Sequence, residues 1–143
     1  MQYKLINNDQ QKTYAVVLES GEEVMEQLMA FAKKETVRIS QFTAIGAFSG
    51  AVVGFFDFSV KDYKKIPLRE QMEVLTLNGD ITLFNDDYKI HAHVILGKED
   101  GSAYGGHLIK ATVHPTLEII LNESPAWLRR ETDPVTGLAL MKI

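Results

Sequence analysis

The chain has 143 residues, 45% hydrophobic and 24% charged, with ten glycines, four prolines and no cysteine. A chain of that length makes one domain and buries roughly 70% of its unfolded surface, so it folds without covalent or metal staples. The apolar fraction excludes disorder, and zero cysteines exclude disulfide frameworks, thiolate zinc fingers, iron–sulfur clusters and a cysteine nucleophile.

Any metal must therefore rest on His, Asp or Glu. A net charge of −4 removes the global electrostatic case for nucleic acid. The first ten residues hold no apolar core of signal-peptide length, and the expectation is a cytoplasmic protein.

Residues 14–18 form a short apolar, β-rich run and are read as the first strand. Ser20 and Glu23 have the spacing of a capping box, and Val24, Leu28 and Phe31 follow at helical period. With Lys33 and Lys34 complementing the dipole in the last turn, a helix is predicted over residues 20–35.

Residues 39–56 carry no charge, but 18 residues fall short of the roughly 20 that a membrane span needs. The expectation is a buried strand or strand pair. Gly46, Gly50 and Gly54, four apart, then share one face where something packs close to the backbone. Lys61, Lys64, Lys65 and Arg69 make one local basic run, read as a solvated loop with anion binding as the alternative.

Strands are predicted at residues 73–77 and 81–84 around an Asn78-Gly79-Asp80 hairpin turn. Residues 90–96 alternate, with Ile90, Ala92 and Val94 opposing His91, His93 and Ile95. The turn cluster Lys98-Glu99-Asp100-Gly101-Ser102 leads to further strands at 104–111 and 117–121. Asn122-Glu123-Ser124-Pro125 then breaks the sheet. The tail brings Trp127, two turn pairs (Asp133-Pro134 and Thr136-Gly137) and a last apolar run. One helix among many strands with short connections predicts α+β: a single domain over residues 1–143, a largely antiparallel sheet packed with one main helix.

His91 and His93 share a strand face. Asp100 is the midpoint between His93 and His107, so an antiparallel hairpin centred there places His107 opposite His93, with Cα atoms about 4.5–5.5 Å apart. Three imidazoles then converge, as a metal with nitrogen ligands at about 2.0–2.1 Å requires. Zinc or another imidazole-binding divalent metal fits this set, and three ligands plus an open position suit a catalytic-type site. Strand histidines are otherwise satisfied by hydrogen bonds or water. Gly105 and Gly106 suggest close backbone approach beside His107, and His114, before Pro115, is read as a strand-end residue.

Gly46-Ala47-Phe48-Ser49, Glu73-Val74-Leu75-Thr76-Leu77-Asn78-Gly79, His91-Ala92-His93, Gly97, Gly105-Gly106-His107-Leu108 and Thr116-Leu117-Glu118 together resemble the plant and prokaryote conserved (PPC) domain. The match spans residues 20–118, and the Asp133, Thr136 and Gly137 tail is similar to stand-alone prokaryotic members. The resemblance implies an antiparallel sheet with a helix, a homotrimer, and a metal site on His91, His93 and His107. Members often carry a DNA-binding label, taken from plant proteins in which an AT-hook precedes the domain. This chain has no Arg-Gly-Arg hook. More distantly, the His-x-His…His pattern is similar to acetolactate decarboxylase, which implies acid–base and anion-holding parts for Glu118 and Arg38.

Three functions follow from these residues. The first is a homotrimeric binding or regulatory module whose metal organises a small-ligand pocket or a protein-facing surface. The second is a zinc-dependent lyase or hydrolase acting on a small carbonyl-containing substrate, with Glu118 moving protons. The third is direct DNA binding through the basic run, which the charge balance does not support.

Overall fold

The structure is a computed structural model that describes residues 1–8, 11–124 and 128–142. Trp127 and Pro125 lie outside the described residues. Among the described residues nine strands and one helix follow in the order β1 Gln2–Asn8, β2 Lys12–Glu19, α1 Val24–Glu35, β3 Ser40–Asp57, β4 Asp62–Leu68, β5 Met72–Phe84, β6 Asp87–Gly97, β7 Ala103–Glu123, β8 Arg129–Thr132 and β9 Ala139–Lys142. The α+β expectation holds in its broad form, with strand far outweighing helix. The first strand is β1 rather than residues 14–18; it pairs antiparallel with β2, which contains that run.

The long charge-free segment is one strand. β3 pairs β7 from Ser40 to Gly54 along one side, and pairs β5 then β4 along the other. β6 pairs both β5 and β7, so β3, β5, β6 and β7 close into a ring of ladders. Inside it lie Phe42, Phe48, Leu77, Ile81, Val94, Leu96, Leu108 and Leu117, all buried. α1 packs its buried face, Val24, Leu28, Phe31 and Ala32, over β6 and β7. Phe31 meets Tyr14 of β2 edge-on, ring centroids 5.2 Å apart. No helix of the described residues is long and apolar enough to cross a membrane.

Five local expectations are corrected. The helix begins at Val24, because Glu23 caps it by accepting from the Glu26 amide at 2.8 Å. Ser20 instead hydrogen-bonds the Pro115 carbonyl and lies 3.1 Å from His114 Nδ1. Residues 104–111 and 117–121 are parts of one 21-residue strand, so His114 is mid-strand rather than at an end. The basic run is not a loop: Lys64 and Lys65 lie within β4, whose neighbour in the sheet is β3. Residues 39–56 do not keep a simple period of two, because register shifts interrupt β3 against its partners. Gly50 faces the Leu68 carbonyl and Gly54 the Tyr63 ring, so the close approaches expected at the glycines come from separate neighbours.

The Asn78-Gly79-Asp80 segment is the fifth correction. β5 runs straight through it, pairing Asn78 with His93, Gly79 with Ala92 and Asp80 with His91. Gly79 is needed for closeness, not for a turn. A methyl there would overlap the Phe42 ring and stand 2.6 Å from the His91 carbonyl oxygen, a backbone atom that cannot step aside. The Gly79→Ala variant is expected to lose about 1–3 kcal/mol, read as a lowered urea midpoint at an unchanged slope.

Candidate metal centre

β6 alternates cleanly, with Ile90, Ala92, Val94 and Leu96 buried and His91, His93 and Ile95 turned outward. The turn at residues 98–102 places His93 opposite His107, as the midpoint at Asp100 predicts. Gly106 allows the crossing with β3: a Cβ there would stand 2.8 Å from the Gly54 carbonyl oxygen. The three imidazoles converge, and one nitrogen from each lies within 4.8 Å of the other two. His91 Nε2 and His93 Nε2 are 3.2 Å apart. Two nitrogens each about 2.05 Å from a tetrahedral metal stand about 3.3 Å apart. The pair therefore already has metal-ligand spacing.

The electrostatics suit a cation. Burial first, then the neighbouring charges of His91, His93 and Lys89, push the His107 pKa down to about 4. Burial and His91 lower that of His93. These rings stay neutral near pH 7 and offer lone pairs. His107 Nδ1 is a buried polar atom without a hydrogen-bond partner, which fits a ring that serves as a ligand rather than as a packed core histidine. Tyr63 of β4 stacks on the His107 ring, centroids 4.5 Å apart and 22° between planes.

Behind His91 stands a network that the sequence reading missed. Its Nδ1 is 3.8 Å from Asp80 Oδ2. Arg130 of β8 is 8% exposed and donates from Nη2 to Asp80 Oδ1 at 2.7 Å and Oδ2 at 2.9 Å. It also donates from Nε to Thr82 Oγ1 and from Nη1 to the Ala139 carbonyl, both at 2.9 Å. Arg130 thus ties the β8–β9 hairpin to the strand carrying Asp80. Hydrogen bonds and charge from His91 and Arg130 outweigh burial and lower the Asp80 pKa. The signal was parity: Asp80 faces His91 once β5 is continuous, whereas a turn at Asn78-Gly79 hides the pairing.

Glu118 and Arg38 are not brought to this cluster. Glu118 is exposed on β7, opposite Val17 and Ile45. The ladder from His93 runs through Asn78 and Thr43 to Ile120, three strand spacings or roughly 14 Å, and Glu118 lies two residues beyond. Arg38 sits between α1 and β3, its Nε 3.8 Å from Glu123 Oε1. His114 is likewise apart, beside Ser20.

Residues 6–125 match the Plants and Prokaryotes Conserved (PCC) domain. The chain belongs to this family. A plant- and prokaryote-conserved protein of Pyrococcus horikoshii is 32% identical, covering 99% of this chain and 95% of its own, with a TM-score of 0.87. A metal-containing protein of Archaeoglobus fulgidus is 30% identical, covering 100% and 99%, with a TM-score of 0.85. A protein of Bacteroides thetaiotaomicron, named as a candidate DNA-binding protein, is 26% identical over 98% and 96%, with a TM-score of 0.88. A Staphylococcus aureus protein similar to alpha-acetolactate decarboxylase shares the fold alone, at 14% identity over 82% of this chain and 52% of its own, with a TM-score of 0.51. No curated protein matches the chain.

The depressed His107 pKa has a consequence for the metal-free fold. Above about pH 6.5 the ring is neutral folded and unfolded alike, and contributes no pH dependence. As pH falls from 6.5 towards 4, the unfolded chain takes up a proton that the folded chain refuses, so stability drops. His93 acts in the same direction. Thermal melts of metal-free protein are expected to fall through this window, and His107→Gln to flatten the slope.

Proposed function

We propose that the chain is a cytoplasmic homotrimeric binding or regulatory module whose site on His91, His93 and His107 holds a divalent metal, zinc first among the candidates. The observation that carries this reading is the 3.2 Å approach of two Nε2 atoms with a third, neutral imidazole within 4.8 Å of both. Zinc held by three imidazoles supplies a Lewis acid with an open position. Asp80 and Arg130 back His91 from behind, with Asp80 Oδ2 3.8 Å and Arg130 Nη2 3.4 Å from its Nδ1, the outer partners that hold a ligating ring in place. The metal-containing Archaeoglobus relative supports the same reading.

The trimer is supported by the outer sheet face. Ile45, Leu75, Ile95 and Ile120 are 61%, 56%, 46% and 43% exposed on β3, β5, β6 and β7, the four strands of the ring that carries the histidines, an apolar surface that a second copy covers. The enzyme reading, a lyase or hydrolase on a small carbonyl compound, is favoured by a cleft opening on His91 and His107. In it Glu118 and Arg38, both exposed, take part from a neighbouring copy.

Duplex DNA is the weakest partner. The net charge is −4, and the basic run is interleaved with acids: Asp57 feels Lys64, and Asp133 feels Lys61. Phosphate neutralisation, the main source of duplex affinity, has little to work with.

Elemental analysis is expected to find zinc or a related metal in the purified protein and none in the His91→Ala, His93→Ala double variant. Equal metal in both would overturn the site. Asp80→Ala or Arg130→Ala is expected to weaken metal affinity about 10–100-fold in chelator competition. Light scattering should give three chains per particle, lost in Ile45→Glu with Ile120→Glu. A polarisation assay at physiological salt should show no submicromolar duplex binding; tight binding abolished by Lys64→Glu with Lys65→Glu would reverse that conclusion.

A further inference from the structure

The ring of ladders leaves a cleft of about 290 Å³ between the histidine cluster and the β8–β9 hairpin. His91, Lys89, His107 and Phe84 line it from the sheet, and Leu138 and Leu140 from the hairpin. Lys89 shares the outward parity of His91 and His93 on β6. Its charge reaches His107, where it helps keep that ring neutral. Among the described residues no carboxylate pairs with it. Asp80, the acid nearest the cluster, is held by Arg130 on both oxygens. That pair cancels and leaves the ammonium unmatched.

The opposite wall is unmatched in the other sense. Leu140 is 45% exposed and Leu138 is half-buried. The wall is also fixed: Arg130 ties it through the Ala139 carbonyl, and Arg129 pairs with Asp86 at 2.8 Å. Asp133 closes the turn by accepting from the Thr136 amide and hydroxyl. An unpaired cation and two leucines lining one preformed concavity call for a ligand with one anionic end and one apolar end.

We propose that this cleft binds a short aliphatic carboxylate, its anionic head at Lys89 beside the histidine cluster and its tail against Leu138 and Leu140. This rests on the metal reading only for the head's second contact. A carboxylate fits better than a phosphate, because the one bidentate donor nearby, Arg130, is already committed to Asp80, Thr82 and Ala139. A single ammonium matches a single negative charge.

The test is titration calorimetry with pentanoate, acetate and the neutral isostere pentanamide, on zinc-loaded and on metal-free protein. Zinc content and far-ultraviolet circular dichroism are measured on every sample. Expected are saturable pentanoate binding, acetate at least tenfold weaker, no binding of pentanamide, and at least a tenfold loss in Lys89→Gln at equal zinc content. Lys89 is exposed, so this variant keeps the fold. Absence of pentanoate binding, or equal affinity in Lys89→Gln, overturns the proposal. A chain that takes up no zinc overturns the metal reading alone, since Lys89-dependent pentanoate binding by metal-free protein still supports the pocket.

Discussion

The pairing of His93 with His107 across the β6–β7 ladder is the constraint on which both fold and site depend. It closes the ring begun by β3 and β5, and without it β6 would end a sheet. It also brings imidazoles from two strands to one spot. Because side-chain direction has a strict period of two, a slip of one residue would send His107 inward and a core residue out. The buried Leu108 and Val94 beside the histidines penalise that slip. Core packing and site geometry are thus specified by the same register.

The histidine site was legible in the sequence because its determinants are local. Two residues on one strand and a third across a short turn require only parity and a midpoint, and Lys98 to Ser102 supplies strong turn chemistry. The network behind the site was not legible. Asp80 and Arg130 lie far apart in sequence, and their contact depends on the parallel approach of β8 to β5. Nothing in the spacing of Arg130 marks it for burial, since an arginine in a polar tail is ordinarily solvated.

The misreadings share one cause, which is that short-range signals were overridden by distant partners. Asn-Gly is the strongest short hairpin signal, yet Gly79 is there because the Phe42 ring and the His91 backbone leave no room for a side chain. Ser20 and Glu23 have capping-box spacing, but the Ser20 hydroxyl reaches across to Pro115 while Glu23 caps alone and also accepts from the Ala111 amide at 3.0 Å. In each case a residue from β6 or β7 competes for the local group and wins.

The placement of the basic run within β4 has a further meaning. β4 pairs only with β3 among the described strands, so its other side presents unpaired backbone donors and acceptors. Such an edge invites another strand to add on, and repeated addition makes fibrils. Here the edge carries adjacent lysines, Lys64 and Lys65, and then Pro67, which has no amide hydrogen to donate. A second copy docking edge to edge would meet like charge and a gap in the ladder. Residues that resemble an anion-binding patch therefore act as a guard against open-ended strand stacking.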